Sequence, residues 1–176
     1  MLTFKKIAGM DSPWFAEVDA LYESAFPLHE KREQQAKASA LRNERYELQA
    51  WFDGEQFIGM IGAWRFSCYT YIEHLAVNGK LRARGYGKRM LSQFLQMHPL
   101  TILEIDPLTT EIAHKRLRFY QSLGFHENGY EHVHPSYHEG IADHELIVLS
   151  YPQQISEEQY QRFNEDLCDV VMAWNG

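Results

Sequence analysis

The stretch Tyr71-Ile72-Glu73-His74-Leu75-Ala76-Val77, continued after a short loop by Arg82-Ala83-Arg84-Gly85-Tyr86-Gly87-Lys88, reads as a strand, a turn and the glycine-containing start of a helix. At a helix start several backbone N–H groups lack internal partners and point outward. With the helix dipole they form a site for an anion. Gly85 and Gly87 remove side chains that would block close approach of phosphate oxygens, and Arg82, Arg84, Lys88 and Arg89 surround the opening with positive charge. Two familiar phosphate loops fail here. A dinucleotide fingerprint needs a third glycine where Met90 stands, and a P-loop needs glycine at Arg82 and Ser or Thr at Arg89.

Working outward, the chain of 176 residues suits one well-buried domain, taken as residues 1–176. Its composition, 45% hydrophobic and 23% charged, is ordinary for a globular protein. No run approaches the roughly 18 apolar residues of a membrane span. The N-terminus lacks the basic-then-apolar layout of a secretory signal. The two cysteines, Cys68 and Cys168, are far apart, which argues against a disulfide framework or cysteine zinc site and fits a reducing cytoplasm. A net charge of −7 argues against nucleic acid as a partner and modestly favours cationic ones such as amines.

The rhythm of the remaining chain alternates strands and helices. Strands are expected at Leu2–Ile7, on either side of a hairpin turn at Asp53-Gly54-Glu55-Gln56, at Tyr69–Val77, at Leu100–Ile105, at Phe125–His134 and at His144–Tyr151. Helices are expected at Trp14–Ala25, at Gly85–Met97 with Met90, Leu91, Phe94 and Leu95 on one side, and at about Thr110–Leu123 before Gly124. The charged stretch His29–Arg45 has helix-forming composition but a thin apolar stripe, and is expected on the surface. Ser156 with Gln159 signals a capping box, opening a last helix to about residue 174 with Tyr160, Phe163, Leu167, Val170, Val171 and Trp174 on its stripe. That stripe either closes the core or forms a homodimer interface.

Arg82-Ala83-Arg84-Gly85-Tyr86-Gly87 matches every specified position of the Q/R-x-x-G-x-G/A signature of the GCN5-related N-acetyltransferases, the GNAT superfamily. Leu75-Ala76-Val77 resembles the strand that precedes that turn, and Phe119-Tyr120-Gln121-Ser122-Leu123-Gly124-Phe125 resembles the second signature, F-Y-x-x-x-G-F. The resemblance covers residues 51–151, with its core at 69–125. It implies an α/β fold: a mixed, mostly antiparallel sheet of six or seven strands, splayed between strands four and five and flanked by helices, with the last helix as an addition. It further implies an acyl-CoA-dependent N-acyltransferase, with acetyl-CoA as cosubstrate and no metal, that moves acetyl to a primary amine in a ternary complex. Backbone groups of Leu75, Ala76 and Val77 would meet the pantetheine arm. Residues Arg82, Ala83, Arg84, Gly85, Tyr86, Gly87 and Lys88 would cradle the pyrophosphate. One departure is Ala113, which stands where the family often has an Asn that contacts the cofactor.

Acyl transfer requires a polarised thioester, a deprotonated amine and a proton for the departing thiolate. Tyr120 matches the position that supplies this proton in many relatives; its alternative is a core aromatic on a helix face. Glu73 is the candidate base, placed by period-two alternation on the side of Tyr71, Leu75 and Val77, with His74 opposite. Glu104 is the second carboxylate candidate for this chemistry or for substrate binding. Phe26, Pro27 and Glu30 fall where relatives shape the acceptor site, or are a helix break followed by solvated charge. The histidines 126, 132, 134, 138 and 144 lack a carboxylate-supported metal pattern and are expected to border the acceptor pocket or face solvent. No cysteine lies in either signature, which disfavours a covalent acyl-enzyme. A non-catalytic acyl-CoA sensor or interaction module would use the same phosphate turn.

Overall fold

The structure, a computed structural model, describes residues 1–173. The chain runs β1 (Thr3–Ile7), α1 (Phe15–Ala25), a 3-10 turn (Leu28–Glu30), α2 (Gln34–Arg42), β2 (Tyr46–Asp53), β3 (Gln56–Arg65) and β4 (Thr70–Val77). After a 3-10 turn at Gly79–Leu81 come α3 (Tyr86–Met97), β5 (Thr101–Ile105), α4 (Glu111–Ser122), β6 (His126–Glu127), β7 (Val133–His134), β8 (His144–Glu145), β9 (Ile147–Tyr151) and α5 (Glu157–Asp166). A seven-stranded sheet has the order β1-β2-β3-β4-β5-β9-β6, and β7 and β8 form a separate small ribbon.

Every pairing is antiparallel except β4 with β5, which run parallel and pair only at Thr70–Thr101 and Tyr71–Ile102. Beyond that point the strands part. The expected splayed mixed sheet is therefore present. The β2–β3 hairpin turns where expected, with Asp53 opposite Gln56 and Gly54 at φ +62°, a left-handed conformation that glycine adopts without steric cost.

Two cores cover the two sheet faces. On one, Val18, Leu21 and Tyr22 of α1, Ala40 of α2 and Phe163 of α5 pack on Met60, Trp64 and Tyr71. On the other, Met90, Leu91, Phe94 and Leu95, the predicted stripe of α3, join Leu117 of α4 against Ile58, Ile61 and Leu103. Burying such large apolar side chains contributes about 1.5–3 kcal/mol each.

Alternation along β4 is broken by one extra residue. Gly62 pairs with His74 and Ala63 with Ile72, so Glu73 is a bulge without a partner. Tyr71 and Glu73 therefore face the α1 side, and so do His74 and Ala76, while Leu75 and Val77 turn to the α3 side. The expectation that His74 opposes Glu73, and that Leu75 and Val77 share its side, is corrected by this bulge.

Three other expectations change. Residues 125–134 are not one strand: β6 and β7 belong to different sheets, because the chain leaves the sheet edge at Asn128, whose amide is held by Val148 O and Ser150 Oγ. His144–Tyr151 is likewise divided, at Leu146, between β8 and β9. The last helix opens with the expected Ser156–Gln159 capping box, but its α-helical part ends at Asp166 and continues as a π-helical turn, Leu167–Val171. Phe163, Leu167 and Val171 close the core; Trp174, assigned to the same stripe, lies outside the described residues.

Candidate functional site

The parting of β4 from β5 opens a cleft of about 730 Å³. One end lies at the start of α3. Here Gly85 caps the helix at φ +77° and Ala83 is also left-handed, at φ +64°. Such a conformation in a non-glycine residue costs on the order of 1 kcal/mol or more and is held only by its surroundings. Helical bonding begins with Arg89 N to Gly85 O, so the amides of Tyr86, Gly87 and Lys88 have no carbonyl partner within the helix. No side chain caps this helix start. Arg82 and Gly87 line the cleft, while Ala83, Arg84, Gly85 and Lys88 are exposed on its outer side. Tyr86 turns away to donate to Asp53 at 2.7 Å.

Leu75, Ala76 and Val77 border the gap on β4, with Leu103, Glu104 and Ile105 across it on β5. Tyr120 of α4 also lines the cleft, packed edge-on against Phe119 and Phe125. Its hydroxyl makes no hydrogen bond among the described residues. Burial pushes its pKa up, against a smaller opposing effect of Arg116. The phenol therefore keeps its proton at neutral pH. Ala113 lies buried in α4, where its N–H caps onto Thr110 Oγ1 at 3.1 Å.

The opposite end of the cleft is formed by α1, the turn after it and the β7–β8 ribbon. Phe26 packs edge-on against His74, whose Nε2–H donates to the Glu30 carbonyl at 2.8 Å. The Glu30 carboxyl is pushed above the ordinary carboxylate range, first by burial and then by Asp106. Two histidines tie the ribbon down: His138 donates to Leu28 O and His144 to His29 O, each at 2.9 Å. Both ends of the predicted site, Phe26 and Glu30 with Tyr120 and Glu104, thus meet in one cavity.

Glu73 occupies a setting its place in the sequence does not suggest. Its side chain is fully buried and paired with the equally buried Arg32, Nη2 to Oε2 at 2.7 Å. Trp64 Nε1 donates to it at 2.8 Å and Tyr137 Oη at 2.6 Å. Burial alone would raise its pKa, but Arg32, His74 and the Trp64 hydrogen bond outweigh burial and hold it at about 2. A carboxylate so saturated is a weak proton acceptor at neutral pH. The bulge aims it at this partner. Arg32 also donates to Val171 O at 3.2 Å, joining the π-helical turn to the centre of the sheet. The stretch expected on the surface therefore delivers a buried cation.

Glu104 differs. Its carboxylate borders the cleft, accepts from the Tyr71 hydroxyl, and lies 2.5 Å from His132 Nε2. His132 and His134 are both buried. His134 lines the cleft and His132 lies behind Glu104. Sequence spacing missed Arg32, Trp64, Tyr137 and Tyr160, because their partners are 9 to 64 residues distant. The nearest sequence signal is the group of histidines at 126–144, of which His134 lines the cleft. Among the described residues, no group of three or more His, Cys, Asp or Glu side chains is arranged to hold a metal ion, and no helix is long and apolar enough to cross a membrane.

A family model described as the acetyltransferase (GNAT) domain matches residues 17–142. Among solved structures, a protein from Bacteroides thetaiotaomicron assigned to the GNAT family of acetyltransferases is similar over 96% of this chain and 97% of its own, with 28% identity and a TM-score of 0.91. The ribosomal-protein-S18-alanine N-acetyltransferase from Escherichia coli shares the fold at 17% identity, over 90% and 97% of the two chains, with a TM-score of 0.61. A Bacillus subtilis acetyltransferase in complex with CoA does so at 16% identity, over 88% and 100%, with a TM-score of 0.57. No curated protein matches the sequence.

Proposed function

The chain belongs to the GNAT acetyltransferase family, and from that premise we propose that it transfers acetyl from acetyl-CoA directly to a primary amine, with both substrates bound together. The observation that carries this reading is the single cleft where the β4–β5 gap, Tyr120 and Glu104 meet. The CoA bound to the Bacillus subtilis protein of the same fold supports a CoA thioester as donor.

In this reading the pantetheine lies along the open edge of β4 at Leu75, Ala76 and Val77, and the pyrophosphate meets the free amides of Tyr86, Gly87 and Lys88. Arg82, Ala83, Arg84 and Gly85 shape and charge that turn. The acceptor enters between Phe26 and Glu30, where carboxylates favour an ammonium group. Glu104 accepts a proton from the ammonium, and the amine nitrogen attacks the thioester carbonyl. The carbon–sulfur bond breaks, and Tyr120 gives its proton to the departing sulfur; the second amine proton restores the phenol. Glu73 holds Arg32 and Tyr137 beneath the acceptor end rather than taking a proton. Both cysteines are exposed and neither lines the cleft, which supports transfer without an acyl-enzyme.

The test is release of CoA thiol from acetyl-CoA with panels of small amines, polyamines and peptides. Thiol release that depends on an amine is expected. Binding of acetyl-CoA without transfer to any amine would overturn the enzymatic reading in favour of a cofactor sensor.

A further inference from the structure

A primary ammonium group carries three N–H bonds, and acyl transfer gives each a different fate. One proton goes to Glu104, a second restores the Tyr120 phenol, and the third stays on nitrogen as the N–H of the product amide. A buried N–H left without an acceptor costs free energy, so the third bond needs a partner too. His134, 3% exposed, lines the cleft at the β7–β8 ribbon. Its Nδ1 lies 2.6 Å from Pro135 O. A carbonyl only accepts, so Nδ1 carries a proton and Nε2 of the neutral ring carries a lone pair. Tyr137 Oη, 3.4 Å from Nε2, gives it no proton, because the Tyr137 O–H donates to Glu73 Oε2 at 2.6 Å. No other hydrogen bond reaches Nε2 among the described residues. We propose that His134 Nε2 accepts one N–H of the acceptor amine while Glu104 takes another, and so holds the nitrogen and selects a primary amine. This rests on the acyl-transfer reading above.

The placement lets one nitrogen reach both groups. His132 Nε2 lies 2.5 Å from Glu104, and His134 is buried two positions further along the same extended segment. Side chains so spaced stand about 6–7 Å apart. A nitrogen making two hydrogen bonds of about 2.9 Å bridges about 5–6 Å. Burial raises the Glu104 pKa, and His134 comes first among the groups that lower it. The ring itself neither gains nor loses a proton in the step. The carbon–nitrogen bond forms and the carbon–sulfur bond breaks; one amine proton ends on Glu104 and one reaches the thiol by way of Tyr120. A second proton on the ring would turn Nε2 into a donor that repels the ammonium. The charged and titratable groups facing the ring or its Tyr137 neighbour are Glu104 from β5, Glu73 and His74 from β4, Arg32 over the Tyr137 ring, and His144 from β8, 6.4 Å between ring centroids.

A measurement without substrate tests the ring alone. In nitrogen-15 spectra the neutral His134 ring should be the Nδ1–H tautomer, and an Nε2–H tautomer overturns the proposal whether or not any activity is found. The kinetic test uses a primary amine that the wild type acetylates and the N-methyl derivative of that amine. Wild type should favour the primary amine by about 100-fold or more in kcat/KM. His134→Leu should lose about 10- to 100-fold on the primary amine and little on the secondary one, which has no third N–H to place. His134→Gln, whose amide oxygen accepts without titrating, should recover most of that loss. It should also lack the acid limb that a second ring proton gives the wild-type kcat/KM profile. KM for acetyl-CoA should stay within about two-fold in both variants. Equal losses on the two amines, or an acid limb unchanged in His134→Gln, overturn the role of His134. If His134→Leu fails to fold, the tautomer and the His134→Gln profile still decide. Absence of transfer to any amine overturns the acyl-transfer reading instead.

Discussion

Replacing Glu73 by Gln asks how much the buried ion pair contributes. The substitution keeps the shape but removes the charge that faces Arg32, itself 2% exposed at the side chain. Two estimates of its size agree. Holding a carboxyl at about 2 instead of its ordinary 4.5 corresponds to roughly 3 kcal/mol, at about 1.4 kcal/mol per pH unit. Removing one partner of a buried pair destabilises by about 3–5 kcal/mol, because the other charge is left without compensation. Glu73→Gln is therefore expected to lose about 3 kcal/mol at pH 7, or roughly 6–12 °C in Tm. The sign of the pH dependence follows from the lowered folded-state pKa. The pair's contribution is complete above the unfolded value near 4.5 and is lost as pH falls toward 2. Urea unfolding of wild type and variant between pH 7 and pH 2.5 should thus give midpoints that converge at the acid end. A variant as stable as wild type at pH 7, or a difference that does not shrink on acidification, would refute the argument. Loss of transfer with unchanged stability would return Glu73 to the role of base.

Tyr120→Phe should lower kcat about 100-fold while the Kd for acetyl-CoA stays within two-fold, measured by thiol release and calorimetry. Gly87→Ala should fold normally, since the added Cβ meets Val77 Cγ2 at 3.4 Å and Phe119 Cζ at 3.6 Å, both ordinary contacts. Its methyl would stand among the free amides, and calorimetry should record acetyl-CoA binding weakened about 10-fold, or about 1.4 kcal/mol. Gly59→Ala is the opposite case. A Cβ there would lie 2.5 Å from Ala76 O and 2.9 Å from Met90, so denaturation should show a loss of about 1–3 kcal/mol from strain between β3 and β4.

Local chemistry made much of the fold readable. The Gly54 turn, the α3 stripe, the Ser156 cap and the Gly85 helix start all depend on residues within a few positions of one another. The same holds for the end of the cleft at the start of α3. Glu73 was not readable, because a bulge leaves no mark in the alternation of Tyr71-Ile72-Glu73-His74 and its partners Arg32 and Tyr137 come from distant segments. Arg32 looked like solvated charge for the same reason: its burial is set by Glu73 and Val171 O, not by its neighbours. His132 sits among polar residues and is buried only because Phe163 and Tyr160 of α5 pack over it.

The two-residue pairing of β4 with β5 has a consequence for the motions of the molecule. Most sheet interiors are protected because each strand covers its neighbour's peptide groups, yet here a lane runs between two central strands from Tyr71 to the start of α3. Whatever fills the lane substitutes for a strand. A donor lying there would stiffen the middle of the sheet and slow amide exchange at Leu75–Val77. It would also raise the unfolding temperature in proportion to the logarithm of its concentration. Cofactor supply and fold lifetime would then be linked, with the substrate itself serving as the last piece of the scaffold.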